Sequence, residues 1–260
     1  MYHFNMFSVN KSVLIIFGIR VVIFVMKLSF KFLNDWVESW RQYVAEFIGT
    51  LIFVFTVSSI AVMEPLYGGI GRAGEAMAIG LIYTYLIYAT ANISGGFLNP
   101  AITISLWLCQ KITGAKAFFY ITAQILASIC AVLLVSLIFG NYAKALSYGM
   151  PSLGIGVNME SAMALEAILT ASLVFVVFAT NIDKRKFEGF GPLALGLMIG
   201  VYTLIFLPMT GAVLNIARVV GIMFFAKSYS LLFVYIIGGL VGSLFGLVYE
   251  LVFLKKDKKK

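Results

Sequence analysis

Two stretches decide how this chain folds: Ser94-Gly95-Gly96-Phe97-Leu98-Asn99-Pro100-Ala101 and Thr210-Gly211-Ala212-Val213-Leu214-Asn215-Ile216-Ala217-Arg218. Each runs hydroxyl, glycine, small, apolar, leucine, asparagine, and then alanine two places on. Asparagine is a preferred helix N-cap, and proline suits the first helical position, where its missing N–H costs nothing. Each stretch therefore predicts a helix that starts at its asparagine. The apolar runs holding them, Leu98–Cys109 and Val213–Phe225, are shorter than the ~20 residues a crossing helix needs. They read as re-entrant half-helices. About nine residues at about 1.5 Å each reach roughly half-way through a ~30 Å hydrocarbon core.

The surroundings of the two stretches also repeat. Ala45-Glu46-Phe47-Ile48-Gly49-Thr50 is echoed by Leu165-Glu166-Ala167-Ile168-Leu169-Thr170, and Tyr120-Ile121 with Ser128 by Tyr235-Ile236 with Ser243. The offsets are 120, 116 and 115 residues for the Glu, Asn and Tyr blocks. Six long apolar stretches lie around them, near Val44–Met63, Met77–Ile93, Ala117–Phe139, Ala162–Thr180, Pro192–Leu207 and Tyr229–Phe253. Each half holds three spans, an odd number, so the second half enters from the opposite side and the repeat is inverted. Inversion brings the two half-helices together by their N-termini near the midplane. Composition agrees with a membrane protein: of 260 residues 62% are hydrophobic and 12% charged, against about half and about a quarter in soluble domains. Disorder, a collagen-like chain and a disulfide scaffold are excluded on the same numbers.

Charge sets the expected orientation. With the start of the first span inside, thirteen Lys and Arg residues fall on the inner side and only Arg72, Lys144 and Lys227 on the outer. This is the positive-inside pattern, with both ends of the core cytoplasmic. The net charge of +8 is then a membrane-orienting face, not a nucleic-acid surface. Residues 1–42 read as an extension. Ser12–Met26 is apolar but short and carries Arg20, which is costly at a bilayer centre; translation that really begins at Met26 and a poorly packed extra helix both fit. Leu28, Phe32, Leu33, Trp36, Val37 and Trp40 recur at helical spacing opposite Lys31, Asn34, Asp35, Glu38 and Arg41, which predicts an interfacial amphipathic helix. The channel domain is expected at 43–254, as repeats of about 43–140 and 160–254, with a basic cytoplasmic tail at 255–260. The one histidine, His3, and two cysteines, Cys109 and Cys130, offer no metal-ligating or catalytic constellation, and no cofactor is implied.

With the doubled asparagine motif and Arg218 after its second copy, the chain resembles the major intrinsic proteins, the aquaporins and glycerol facilitators, over about residues 43–254. The resemblance implies an all-α membrane fold, a right-handed bundle of six transmembrane helices and two re-entrant half-helices. It implies a homotetramer in the cell membrane, with one pore per subunit and water and small neutral solutes as the partners. It places Asn99, Pro100, Ala101, Asn215, Ile216 and Ala217 at the pore midplane and makes Glu46 and Glu166 braces of the re-entrant loops. By family spacing it assigns a selectivity filter to Ile79, Thr203, Ala212 and Arg218. Two helix N-termini carry positive partial charge and two asparagine amides donate hydrogen bonds, so cations are repelled and a central water is turned away from proton exchange.

Two departures stand out. Ile216 replaces proline, and its bulk could narrow the midplane. The filter set lacks the aromatic and histidine of water-selective members. It also lacks the two aromatics of glycerol facilitators and the Asp that follows their Arg; here Val219 follows. One branched aliphatic, one hydroxyl and one methyl predict a wide filter that passes water plus glycerol, urea, ammonia or metalloid acids. A secondary active transporter is the main alternative, since inverted repeats and broken helices occur there too. A non-conducting homologue is another, and an intramembrane enzyme lacks a nucleophile–base cluster.

Overall fold

The computed structural model describes the backbone of residues 11–185 and 187–254, and the side chains of 32, 34–185 and 187–254. Expectations placed on residues 1–10, on the 255–260 tail and on the side chains of Leu28, Arg20 and Leu33 lie outside the described residues. Two compact units divide between Trp40 and Arg41. In the first, the backbone is helical from Lys11 onward, and Asn34, Trp36, Val37, Glu38 and Trp40 are exposed.

Helix α1 runs Lys11–Tyr67, with Asn34–Tyr67 long and apolar enough to cross a membrane. The second unit continues with α2 (Gly71–Ser94), the short α3 (Pro100–Leu108), α4 (Gly114–Phe139), a five-residue α5 (Asn141–Ala145) and α6 (Met159–Val177). A π-helical turn at Phe178–Ile182 extends α6, and α7 (Gly191–Thr210), the short α8 (Ile216–Ala226), α9 (Leu232–Ser243) and α10 (Phe245–Val252) complete the chain. Among the described residues six helices are long and apolar enough to cross a membrane, α6 with its π turn forming one and α9 with α10 another. They contain or overlap the six apolar stretches of the sequence, and α3 and α8 are the two half-helices. The protein is a multi-pass membrane protein.

Local chemistry explains the boundaries. Asn99 and Asn215 cap α3 and α8 by accepting from Ala101 N and Ala217 N, both at 3.0 Å. Thr113 and Asn158 do the same for α4 and α6. Helices α2 and α7 stop at Gly95 (φ 99°) and Gly211 (φ 83°), left-handed positions that glycine enters without a Cβ clash. The Glu64 carboxylate accepts from Ile70 N and Gly71 N, holding the α1–α2 turn. Asp183 accepts from Arg185 and from the Tyr249 hydroxyl, while Arg185 also donates to the Phe253 carbonyl. Arg185 keeps the Asp183 carboxyl well below the usual carboxylate range.

Small residues set the helix spacing, as in other membrane bundles. A Cβ at Gly80 would meet the Gly196 carbonyl at 2.6 Å, so α2 and α7 cross almost backbone to backbone. Gly238 and Gly242 press on α6, at Glu166 Cβ and the Ala167 carbonyl. Gly246 instead faces Ser105 and Phe178. Cys109 and Cys130 are both free.

Candidate functional site

The two loops ahead of α3 and α8 are built alike. Glu46 is fully buried. Its Oε1 accepts from Ser94 Oγ at 2.6 Å and Phe97 N at 3.0 Å, and its Oε2 from Leu98 N at 2.7 Å and Gln124 Nε2 at 2.8 Å. Glu166 is 2% exposed. Its Oε1 accepts from Thr210 Oγ1 at 2.6 Å and Val213 N at 3.0 Å, and its Oε2 from Leu214 N at 3.0 Å. A loop inside a membrane must have its polar backbone satisfied by protein, and each carboxylate takes two successive N–H groups. Tyr120 and Tyr235 add a second tie, donating to the Ser94 and Thr210 carbonyls at 2.7 and 2.9 Å. Their pairing in the repeat carried the signal for this; the structure adds the role.

The two capping asparagines then lock the halves to each other. Asn99 Nδ2 donates to the Leu214 carbonyl at 2.7 Å, and Asn215 Nδ2 to the Leu98 carbonyl at 2.8 Å. A carboxamide has two N–H donors and one carbonyl. The carbonyl caps the helix, one N–H crosses to the other loop, and one N–H is left over. Leu98 and Leu214 present those carbonyls from the same left-handed conformation, φ 51° at both.

Five of the residues singled out in the sequence meet in one cavity. Ile79, Asn99, Ala212, Asn215 and Arg218 line it together with Phe53, Tyr83, Leu173, Ile199, Val213 and Leu214. Its volume is only about 10 Å³, the lower limit for one water molecule. Thr203 is buried but does not line it. The fifth span contributes Ile199, one helical turn earlier on the same face. Counting back from Asn215 places a residue along the chain but does not say how deep the cavity reaches. Pro100, Ala101, Ile216 and Ala217 are buried behind the asparagines and do not line it either. The Ile216 side chain lies instead on Gly239, where an added Cβ would come within 2.8 Å of Ile216 Cγ1. Its bulk is housed by that glycine. Arg218 is 5% exposed; Nη1 donates to the Gly211 and Ala212 carbonyls at 3.3 and 3.1 Å, and Nε has no protein partner.

A second cavity of about 550 Å³ lies farther along α2, lined by Ile87, Tyr88, Asn92, Phe97, Thr180, Asn181 and Glu188 among others. Tyr88 there donates to the Gly189 carbonyl at 2.7 Å.

The family model for the major intrinsic proteins matches residues 34–249. The chain belongs to the major intrinsic protein family. It is 37% identical over 225 residues to a probable aquaporin TIP4-1 of Oryza sativa subsp. japonica, covering 83% of this chain and 88% of that one. It is 33% identical over 233 residues to Aquaporin Z of Photorhabdus laumondii, covering 84% and 99%. The fold matches the X-ray structure of the aquaglyceroporin from Plasmodium falciparum with a TM-score of 0.75 at 24% identity, over 82% of this chain and 96% of that one. As a major intrinsic protein the molecule is a membrane channel of the aquaporin kind.

Proposed function

We propose that the protein is a passive pore that conducts water and excludes ions and protons. The observation that carries this reading is the convergence of two asparagine-capped helix N-termini and Arg218 on one narrow cavity. Positive partial charge from both helices and the guanidinium opposes cations. The spare amide N–H of Asn99 and of Asn215 orients a central water so that the proton wire is interrupted. Arg218 Nε, buried and unpaired, is a donor available to a passing oxygen. Glu46 and Glu166 serve as braces, each already holding two backbone N–H groups, and not as proton carriers.

In this reading Ile79, Ala212 and Arg218 form the filter, with Ile199 on the fifth span below Thr203. Small uncharged solutes such as ammonia, urea, glycerol or metalloid acids pass only as far as the bore allows, so water and ammonia rank ahead of glycerol and urea. The distribution of Lys and Arg supports a cell-membrane channel with both core ends cytoplasmic. The exposed Trp36 and Trp40 support an interfacial role for the extension 1–42, ahead of the channel domain 43–254. A homotetramer with one pore per subunit is part of the same proposal. Stopped-flow light scattering on reconstituted vesicles tests it: osmotic water flux with low activation energy and no accompanying proton leak is expected. Flux that requires an ion gradient would replace the channel with a transporter. In Arg218→Val a pH-sensitive dye should report proton entry that the unaltered protein does not allow.

A further inference from the structure

We infer that Tyr83, braced by Phe53, sets the bore of this channel and so decides which solutes pass, in place of the four-residue filter. The inference rests on the channel reading and deepens it. Ile79, Tyr83 and Ile87 follow one another at intervals of four on α2 and so share one helix face. Ile79 and Tyr83 line the narrow cavity, and Ile87 lines the larger one beyond. Tyr83 thus stands at the division between them. Its hydroxyl crosses that division, donating to the Phe97 carbonyl at 3.1 Å, and Phe97 lines the larger cavity. The two cavities share no lining residue.

The ring is held in place. The Phe53 ring meets it edge to face, with centroids 5.1 Å apart and planes at 72°, a favourable aromatic geometry. Tyr83 is 1% exposed and Phe53 2%. With the ring braced on one side and its hydroxyl tied on the other, rotation out of the lumen breaks a buried hydrogen bond and an aromatic contact together. The cavity that Tyr83 and Phe53 line holds only about 10 Å³, against about 550 Å³ in the cavity that Ile87 lines one turn farther along α2. Of the four filter positions, Ala212 offers only a methyl and Thr203 lies outside the cavity, which leaves Ile79 and Arg218 to share its lining with the rings of Tyr83 and Phe53. The small side chain of Ala212 and a narrow lumen coexist because the ring of Tyr83, one turn from Ile79, fills the space that Ala212 leaves.

Solutes larger than water are therefore stopped at Tyr83 and Phe53. The test uses the full chain in vesicles, with water and glycerol flux measured separately by light scattering. Tyr83→Val and Phe53→Val should each raise glycerol permeation roughly tenfold, because pore diameter governs access. Ile79→Ala should gain less than either. Monodisperse elution in detergent establishes that each variant is folded, and two variants on different helices guard against the loss of one. Glycerol flux in the unaltered protein equal to that of Tyr83→Val, or an Ile79→Ala gain as large as Tyr83→Val, would overturn the inference and leave the water channel standing. An unaltered protein that passes no water while Tyr83→Val does would support Tyr83 as the barrier and count against conduction by the unaltered protein. Water flux in the unaltered protein with no glycerol gain in either folded valine variant would defeat the inference alone.

Discussion

The two halves share one framework of polar bonds and differ in the residues set around it. Glutamate to two successive N–H groups, hydroxyl to glutamate, tyrosine to the loop carbonyl and asparagine to the opposite loop each occur twice. What differs is Gly96 against Ala212, Pro100 against Ile216, Ile102 against Arg218 and Gln124 against Gly239. Buried polar groups are costly when unpaired, so a loop inside a membrane admits few changes to its hydrogen bonds. Packing volume can be traded between neighbours as long as the sum is kept. Ile216 over Gly239 is such a trade. Ile102, the counterpart of Arg218 in the repeat, is apolar and 1% exposed, so the narrow cavity receives a guanidinium from the second half alone.

The braces should separate the halves most strongly. Glu46→Ala and Glu166→Ala each orphan two buried N–H groups, at roughly 2 kcal/mol apiece, or about 4 kcal/mol of stability. Glu46→Ala should cost about 1–2 kcal/mol more, because Gln124 also loses its carboxylate acceptor. Unfolding of the purified protein in graded denaturing detergent measures both; equal losses would show that Gln124 contributes nothing to the first loop. The packing trade should show next. Gly239→Val ought to cost about 2 kcal/mol by overpacking against Ile216. In an Ile216→Ala background the cost should fall by at least about 1 kcal/mol, since contacting residues couple. A double-mutant cycle that closes additively would remove the link between the two positions. The smallest effect concerns backbone strain. Ala212 sits at φ 42° and Gly96 at φ 64°, a region L-residues avoid. Ala212→Gly should gain about 0.5 kcal/mol in thermal unfolding, and Gly96→Ala should lose about 1 kcal/mol. The second loss is steric as well, because a Cβ at Gly96 meets Thr90 Oγ1 at 2.9 Å.

The parts that were legible in the sequence are those where chemistry forces the residue type. Asparagine caps, paired buried acids and the lone arginine announce themselves because few other side chains can do their work, and duplication doubles the signal. The six spans were legible from apolar length alone. Tyr83 and Phe53 were not, since in a chain that is 62% hydrophobic and 15% aromatic a ring facing the lumen looks like a ring facing lipid. Its hydroxyl partner, the Phe97 carbonyl, belongs to a loop whose path depends on Glu46 from another helix. Thr203 is buried but does not line the narrow cavity; the count from Asn215 that reaches it runs through Gly211–Leu214, which is not helical, so the count alone fixes neither depth nor rotation. Ile216 was legible as a departure, but the glycine that receives it lies 23 residues later.

A ribosome delivers the first half of this chain well before the second. When Asn99 has entered the membrane, the carbonyl of Leu214 that its amide needs has not been made, and the carbonyl of Leu98 awaits Asn215. Neither dipping loop can be finished by its own half, because each supplies the other's missing partner in a medium without water to stand in. The spans can insert in order, but closure of the two loops is a single joint step that waits for the last third of the chain, and the pore comes into being whole.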